Sequence, residues 1–206
     1  MRKITLFALL ALLLGGAESA RAQQCPEGQR YWSRYGLCET LNEGTKTEER
    51  SGSYRKLTPG PTWRLAHPSR RYILNRMPPE LRPMDNVFHT PYTCTPVRIT
   101  NANKFDADIE VEHIVSKAEA WRSGLSPMQF LEFEHDLDNL TLATARENGG
   151  GRKSDNDPGG YEPPYNAGWY AWQVIKVKQK YGLSVDTPEK AALIRFLAAG
   201  TAARCN

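Results

Sequence analysis

The middle third of the chain sets an acid beside a histidine, in the segment DIEVEHIV, where Glu112 precedes His113. An imidazole can transfer protons near neutral pH, and a carboxylate can share acid–base work or bind a cation. Downstream lie two amides and a basic pair, namely Asn139, Asn148, Arg152 and Lys153. Each of these residues taken singly suits a structural or solvated position. Their occurrence together, in this order along the chain, indicates a functional site.

Two short strands and a capped helix would have to position these side chains. Residues 109–115 and the segment NLTLA alternate like half-buried strands, and TARE at residues 144–147 fits a capping box that opens a helix. The spacing of apolar residues predicts four further helices, in SKAEAWRSGLS, SPMQFLEFEHDL, GWYAWQVIKVKQKYG and TPEKAALIRFLAAG. This order of elements predicts an α+β chain.

Strand geometry separates the acid from the histidine. Successive side chains of a regular strand point to opposite faces, so Glu110 and Glu112 share one face and Val111 and His113 the other. One site can use both Glu112 and His113 only if the strand twists, bulges or ends near them.

These segments, in this order, resemble the HNH nucleases of the ββα-metal fold. They are similar in particular to a branch of exported bacterial proteins often described as a domain of unknown function. In this chain the corresponding segments read EVEHIVSKAEAWRSGLS, FEHDLDNLTLA and ENGGGRKSDNDPGGYEPPYN. The resemblance covers residues 108–205 and implies a ββα-metal core with additional helices.

The same resemblance implies a metal-dependent endonuclease that hydrolyses phosphodiester bonds of DNA, or also of RNA. Glu112 and Asn148 would be ligands of one divalent metal ion, and His113 would be the general base. Asn139 would complete the catalytic set by bracing the loop between the strands, and a flanking phosphate would be held by Arg152 or Lys153. Two oxygen ligands without a second histidine suit Mg²⁺ or Mn²⁺ better than zinc.

The chain departs from that family pattern after Asn148 and after HIV. Three glycines, Gly149–Gly151, follow where a helix would continue, and glycine inside a helix costs about 1 kcal/mol per residue. The helix therefore has a single turn or carries an insertion. Ser116 stands where the family has a proline, which affects only the turn.

The first residues have the pattern of a secretory signal peptide. A basic start, MRK, precedes an apolar run from Ile4 to Leu14, and Ala20–Ala22 offers a small-residue cleavage site. The run is too short to span a bilayer. We therefore expect cleavage of residues 1–22 and export to the periplasm or the medium, without a membrane segment. The remaining residues 23–206 suit a single domain, which we expect to be a monomer.

All four cysteines lie after the expected cleavage point. An even number in an exported chain favours two disulfides, with three possible connectivities. We favour Cys25 with Cys38 and Cys94 with Cys205. A zinc site is the competing use, but the chain has no C-x-x-C or H-x-x-x-H spacing.

Residues 23–95 form a loop-rich part that precedes the catalytic core at residues 96–206. The segment from Arg50 to Arg82 contains eight basic residues, one acidic residue and three aromatic residues. A basic stripe interleaved with aromatics suits a nucleic acid, although a solvated surface has the same composition. Arg70 and Arg71 are the candidate phosphate contacts in this stripe.

Two other functions fit parts of the sequence. A glycosidase could use Glu110 with Glu112, or Glu132 with Glu134, as paired acids. That reading gives no role to His113, Asn139 or Asn148. A module that binds nucleic acid without turnover would need only the basic stripe.

Overall fold

The chain is described here by a computed structural model that covers residues 29–32, 37–40, 68–100, 105–149 and 157–205. Several predictions concern residues outside these ranges and stay predictions. They are the signal peptide at 1–22, the basic stripe before residue 68, the disulfide partner Cys25, and the basic pair Arg152 and Lys153.

The strands in these ranges are short. They are β1 Gln29–Trp32, β2 Leu37–Thr40, β3 Val87–His89, β4 Pro96–Arg98, β5 Ile109–His113, β6 Leu140–Thr144 and β7 Ser184–Val185. The helices are α1 Arg70–Leu74, α2 Lys117–Arg122, α3 Pro127–His135, α4 Ala145–Gly149, α5 Ala167–Tyr181 and α6 Thr187–Leu197. The mixture confirms the predicted α+β class.

The pair β5–β6 contains the middle-third residues singled out above. The two strands run antiparallel, with Ile109 opposite Thr144 at one end and His113 opposite Leu140 at the other. Helices α2 and α3 lie in the connection between them, and α4 follows β6 directly. The chain therefore runs strand, helical connection, strand and helix, as the periodicity predicted.

Side-chain caps explain where the two helices of the connection begin. Ser116 accepts a hydrogen bond from the Glu119 backbone N–H at the start of α2. Ser126 and Gln129 form a reciprocal capping box at the start of α3. On α3, Phe130 and Phe133 face the core, which is the helical spacing that predicted this helix.

Helices α5 and α6 form a close antiparallel pair at the C-terminal end. Gly182 ends α5 in the left-handed conformation, with φ at 63°. Gly168 is the second residue of α5, and the backbone of Gly200 approaches it there. A Cβ at Gly168 would lie 1.7 Å from the Gly200 carbonyl oxygen, so only glycine permits this approach. Asp186 caps α6, one residue before the predicted start.

The early part of the chain is joined to its end in two ways. Strand β2 pairs antiparallel with β1 and parallel with β7, so a hairpin that the sequence did not predict joins the segment before α6. Cys94 and Cys205 form a disulfide with a Cα–Cα distance of 5.4 Å, which confirms one of the two predicted pairs. Asn166 lies beside it, donating to the Pro91 carbonyl and accepting from the Arg204 N–H.

One hydrophobic core underlies β5–β6 and the surrounding helices. Its largest fully buried apolar side chains come from α1, β3, α3, α6 and the loop after β3, among others: Ile73, Phe88, Tyr92, Phe133 and Phe196. None of the helices in the described ranges has the length and apolar character to cross a membrane.

Candidate functional site

Asn139, the residue directly before β6, is hydrogen-bonded to the end of β5. Its side chain is fully buried, the Oδ1 accepts from the Val115 N–H at 2.8 Å, and the Nδ2 donates to the Val115 carbonyl at 3.2 Å. Its backbone carbonyl accepts from the Ile114 N–H at 2.8 Å. These bonds take the chain out of the strand directly after His113.

His113 points toward α3. Its Nε2 lies 2.9 Å from the carbonyl oxygen of Glu134, and its ring stacks on Phe133 with centroids 6.4 Å apart. Because a carbonyl oxygen only accepts, Nε2 carries the hydrogen in this contact. A neutral imidazole held this way has its lone pair on Nδ1, which is the form a general base requires.

Glu112 points to the opposite face of β5 and is 3% exposed. Its partner across the pair is Thr141, and the pairing continues through His113 without a bulge. The strand was expected to twist, bulge or end near Glu112 and His113. The structure shows that it ends directly after His113. Within the described residues β5 pairs with β6 and has no strand on its other edge.

Tyr92 and Thr141 lie near Glu112 on the buried side of β5. Burial raises the pKa of Tyr92 well above its usual value, and the carboxylate of Glu112 adds to that effect. Within the described part, the hydroxyls of Tyr92 and Thr141 are buried without a hydrogen-bond partner. Buried hydroxyls without a partner are uncommon in proteins, so these two mark the surroundings of Glu112 as an unusual polar position.

Asn148 extends from α4 toward the same face of β5. Its Nδ2 donates to Oε2 of Glu110 at 2.8 Å, and Glu110 shares its strand face with Glu112. The structure thus brings Asn148 next to the first acid of EVEH, with the second acid two residues along the strand.

The start of α4 is fixed by the predicted capping box. Glu147 accepts from the Thr144 N–H at 2.5 Å, and Thr144 accepts from the Glu147 N–H at 3.2 Å. Glu147 also accepts from the hydroxyls of Thr90 and Thr93, which ties α4 to the loop after β3. The helix has the single turn that the glycines allow.

Arg70 and Arg71 begin α1 and are exposed. They line a groove of about 630 Å³ whose apolar wall includes Ile109 and Val111 of β5. Val111 and His113 lie two residues apart on one strand face, so this groove opens toward the side of β5 that carries the histidine.

A second group of acids lies beneath the helices, where Glu119, Asp157 and Glu189 approach one another closely enough to surround a cation. The ammonium of Lys178 already lies there, donating to both glutamates and to the Ser184 carbonyl. Burial by itself lowers the pKa of Lys178, but the two glutamates outweigh it and raise the pKa above its usual value. This cluster is an internal ion-pair network.

Sequence reasoning missed the contact between Glu110 and Asn148. The alternation of EVEH places Glu110 on the face of Glu112, and that was the available signal. No local pattern shows that Asn148 reaches it, because the two residues are 38 positions apart. The threonine contacts of Glu147 had no sequence signal at all.

Comparison with known proteins identifies a family for this chain. Residues 61–196, more than half of it, match the family described as GmrSD restriction endonucleases, C-terminal domain. The matched range includes β5, β6 and α4 together with α1.

A similar protein from Arthroderma benhamiae is named "Uncharacterized secreted protein". The two are 35% identical over 96 residues, which is 44% of this chain and 47% of that protein. The chain thus spans about half the length of this relative. No solved structure matches the chain.

Proposed function

Because the chain belongs to the family of GmrSD restriction endonuclease C-terminal domains, we propose that it is a divalent-metal-dependent nuclease of HNH type. It hydrolyses phosphodiester bonds of DNA, or also of RNA. The family membership supports a nuclease activity and a nucleic-acid substrate in general. The finer assignment to an HNH site with a ββα-metal core comes from the residues at the end of β5.

The observation that carries the assignment is the strand end enforced by Asn139. Glu112 and His113 lie on opposite sides of β5 at its last two positions, where the pairing with β6 ends. In this proposal the scissile phosphate binds beyond the end of the strand, where groups from both faces can approach it. A strand that continued past His113 would keep the two groups apart.

His113 is the general base in this proposal. The carbonyl of Glu134 holds the proton on Nε2, so in this tautomer Nδ1 carries the lone pair that takes a proton from the attacking water. Asn139 positions the base by fixing the backbone that follows it. The stack on Phe133 restricts the rotation of the ring.

The donor set fits a hard divalent cation. Glu112 supplies a carboxylate and Asn148 an amide oxygen, and the two buried hydroxyls beside Glu112 add polar surroundings. Oxygen ligands of this kind suit Mg²⁺ or Mn²⁺. When bound, such an ion would stabilise negative charge on the phosphate and on the leaving oxygen.

Basic residues hold the flanks of the substrate in this proposal. Arg70 and Arg71, on the groove beside the His113 face of β5, bind backbone phosphates on one side. Arg152 or Lys153, which follow Asn148 in the sequence, bind a flanking phosphate. The relative's name and the N-terminal pattern support export of the protein.

The glycosidase alternative has weaker support from the geometry. Glu132 and Glu134 lie two positions apart on α3, where side chains do not face each other, and Glu134 pairs with Lys117 at 3.1 Å. Glu110 is bonded to Asn148, and Glu112 is almost fully buried. Neither pair presents two carboxylates to one open cleft.

The deciding experiment incubates purified protein with plasmid DNA and Mg²⁺ or Mn²⁺, with and without EDTA. We expect cutting that EDTA abolishes. DNA that is shifted but intact would favour a binding module, and no effect on DNA or RNA would leave the glycosidase to be tested.

His113→Ala should lower the cleavage rate by about 10² to 10⁴-fold, the usual contribution of a general base. His135→Ala is the matched control, because His135 lies on α3 and its Nδ1 contacts the Leu131 carbonyl of its own helix. Full activity of a folded His113→Ala protein would remove His113 from the mechanism.

A further inference from the structure

The bond between Glu110 and Asn148 determines which way the amide of Asn148 faces. An ionised carboxylate accepts hydrogen bonds and donates none, so only the NH₂ group of the amide can face Glu110. The Nδ2–Oε2 distance is 2.8 Å. The carbonyl oxygen Oδ1, the atom that could bind a cation, is therefore turned away from Glu110.

Within the described residues, Glu110 is the one hydrogen-bond partner of the Asn148 side chain. Asn148 lies in the last turn of the five-residue helix α4, and a Cβ added at the next residue, Gly149, would meet nothing within 4 Å. Asn148 is half-buried, and its side chain contacts β5 through Glu110. A side chain in such a place loses rotamer freedom only if a specific partner holds it.

We propose that Glu110 is a positioning residue that holds the amide of Asn148 so that Oδ1 is presented to the metal ion. This inference rests on the proposed function, since it assumes that Asn148 is a metal ligand. Partners that orient a ligand by hydrogen bonding raise metal affinity, and their loss usually costs about 10- to 100-fold. Glu110 acts through Asn148 and does not touch the substrate.

The test measures Mn²⁺ binding by calorimetry on the whole protein, so that it does not depend on activity. Glu110→Ala should weaken Mn²⁺ binding by about 10- to 100-fold. Asp108→Asn is the charge control, because Asp108 lies two residues before Glu110 and is exposed. It removes one negative charge nearby without removing the bond to Asn148.

A double-mutant cycle separates positioning from direct ligation. If Glu110 acts through Asn148, then Glu110→Ala should cause no further loss of Mn²⁺ affinity in an Asn148→Ala protein. Equal losses in both backgrounds would make Glu110 an independent ligand and overturn the proposal. Unchanged affinity of Glu110→Ala in an otherwise wild-type protein would overturn it as well.

The outcome can be distinguished from failure of the proposed function. A wild-type protein that neither binds Mn²⁺ nor cuts nucleic acid contradicts the nuclease assignment itself. A wild-type protein that does both, with Glu110→Ala indistinguishable from it, contradicts only the role of Glu110. Thermal unfolding without metal serves as the structural control, because a purely structural role would lower stability and leave Mn²⁺ affinity unchanged.

Discussion

A single buried amide, Asn139, joins the end of β5 to the segment that precedes β6. It satisfies both backbone groups of Val115 with its side chain and the N–H of Ile114 with its carbonyl. Buried backbone groups that lose their partners are costly. The position of His113 therefore depends on a residue that does not itself take part in proton transfer.

Asn139→Ala should lower the free energy of unfolding by about 1–3 kcal/mol per buried group left unsatisfied, and should lower the cleavage rate in proportion to the displacement of His113. Denaturant unfolding and a cleavage assay measure the two effects. Asn139→Asp is the matched variant, because it can still accept from the Val115 N–H but cannot donate to the Val115 carbonyl. We expect it to lie between the wild type and Asn139→Ala. Equal stability of all three proteins would contradict the bracing role.

Lys178 is a buried charge whose partners come from two other helices. Its ammonium is 0% exposed and joins Glu119 of α2 to Glu189 of α6. Removal of one partner from a buried ion pair leaves the other charges uncompensated, whereas replacement of the whole group by apolar residues is often neutral.

Lys178→Met should therefore destabilise the protein by about 3–5 kcal/mol, as measured by denaturant unfolding. The combined variant Glu119→Leu, Lys178→Met and Glu189→Leu should recover most of that loss. If the combined variant were less stable than Lys178→Met alone, the charges would not be the origin of the cost.

At the scale of elements, two glycines show how the local surroundings determine the effect of a side chain. Gly168 of α5 faces the backbone of Gly200, while Gly149 at the end of α4 faces open space. Both lie in helices, where alanine has the higher propensity.

Gly168→Ala should destabilise the protein, because its Cβ would overlap the Gly200 carbonyl and force α5 away from the C-terminal end of α6. Overpacking of this kind costs about 1–3 kcal/mol. Gly149→Ala is the matched control and should be neutral, or stabilising by up to about 1 kcal/mol. Thermal unfolding of the two variants measures the difference. A loss of stability at Gly149 equal to that at Gly168 would show that the close approach is not the cause.

At the scale of the whole molecule, several buried side chains have raised pKa values. Burial raises the pKa of Tyr92 and of Tyr170 well above the usual value, and nearby glutamates add to it. The pKa of Lys178 is raised as well. These groups keep their protons in the folded protein at pH values where the unfolded chain has lost them.

Stability should therefore fall on the alkaline side. A group with a raised folded pKa contributes its full stabilisation below the unfolded pKa, which for tyrosine is 10.0, and loses it as the pH rises from there toward the folded pKa. The phenolate absorbance of Tyr92 and Tyr170 should appear together with the loss of circular dichroism. Tyr92→Phe should weaken the dependence of stability on pH above that value. Full ionisation of all tyrosines in a protein that retains its circular dichroism would contradict this expectation.

Much of the secondary structure followed from patterns a few residues long. The helix start at Ser126, the capping box at Thr144 and the terminating Gly182 act through bonds within one turn, so the sequence alone predicts them. The hairpin β1–β2 was missed because its strands have four residues each, and β2 gains its parallel partner, β7, from a distant segment. At the candidate site, the sequence predicted that β5 would twist, bulge or end near His113, and the structure shows the last of these.

The sequence by itself determined the types of chemical groups, the order of the elements around them and the even number of cysteines, because these depend on local propensity and composition. Only the tertiary structure decided which groups meet. Asn148 is hydrogen-bonded to Glu110, 38 residues away in the sequence, and Lys178 to Glu119, 59 residues away. The physical reason is that hydrophobic burial drives the chain together without direction, so the partner of a polar group depends on how the whole core packs.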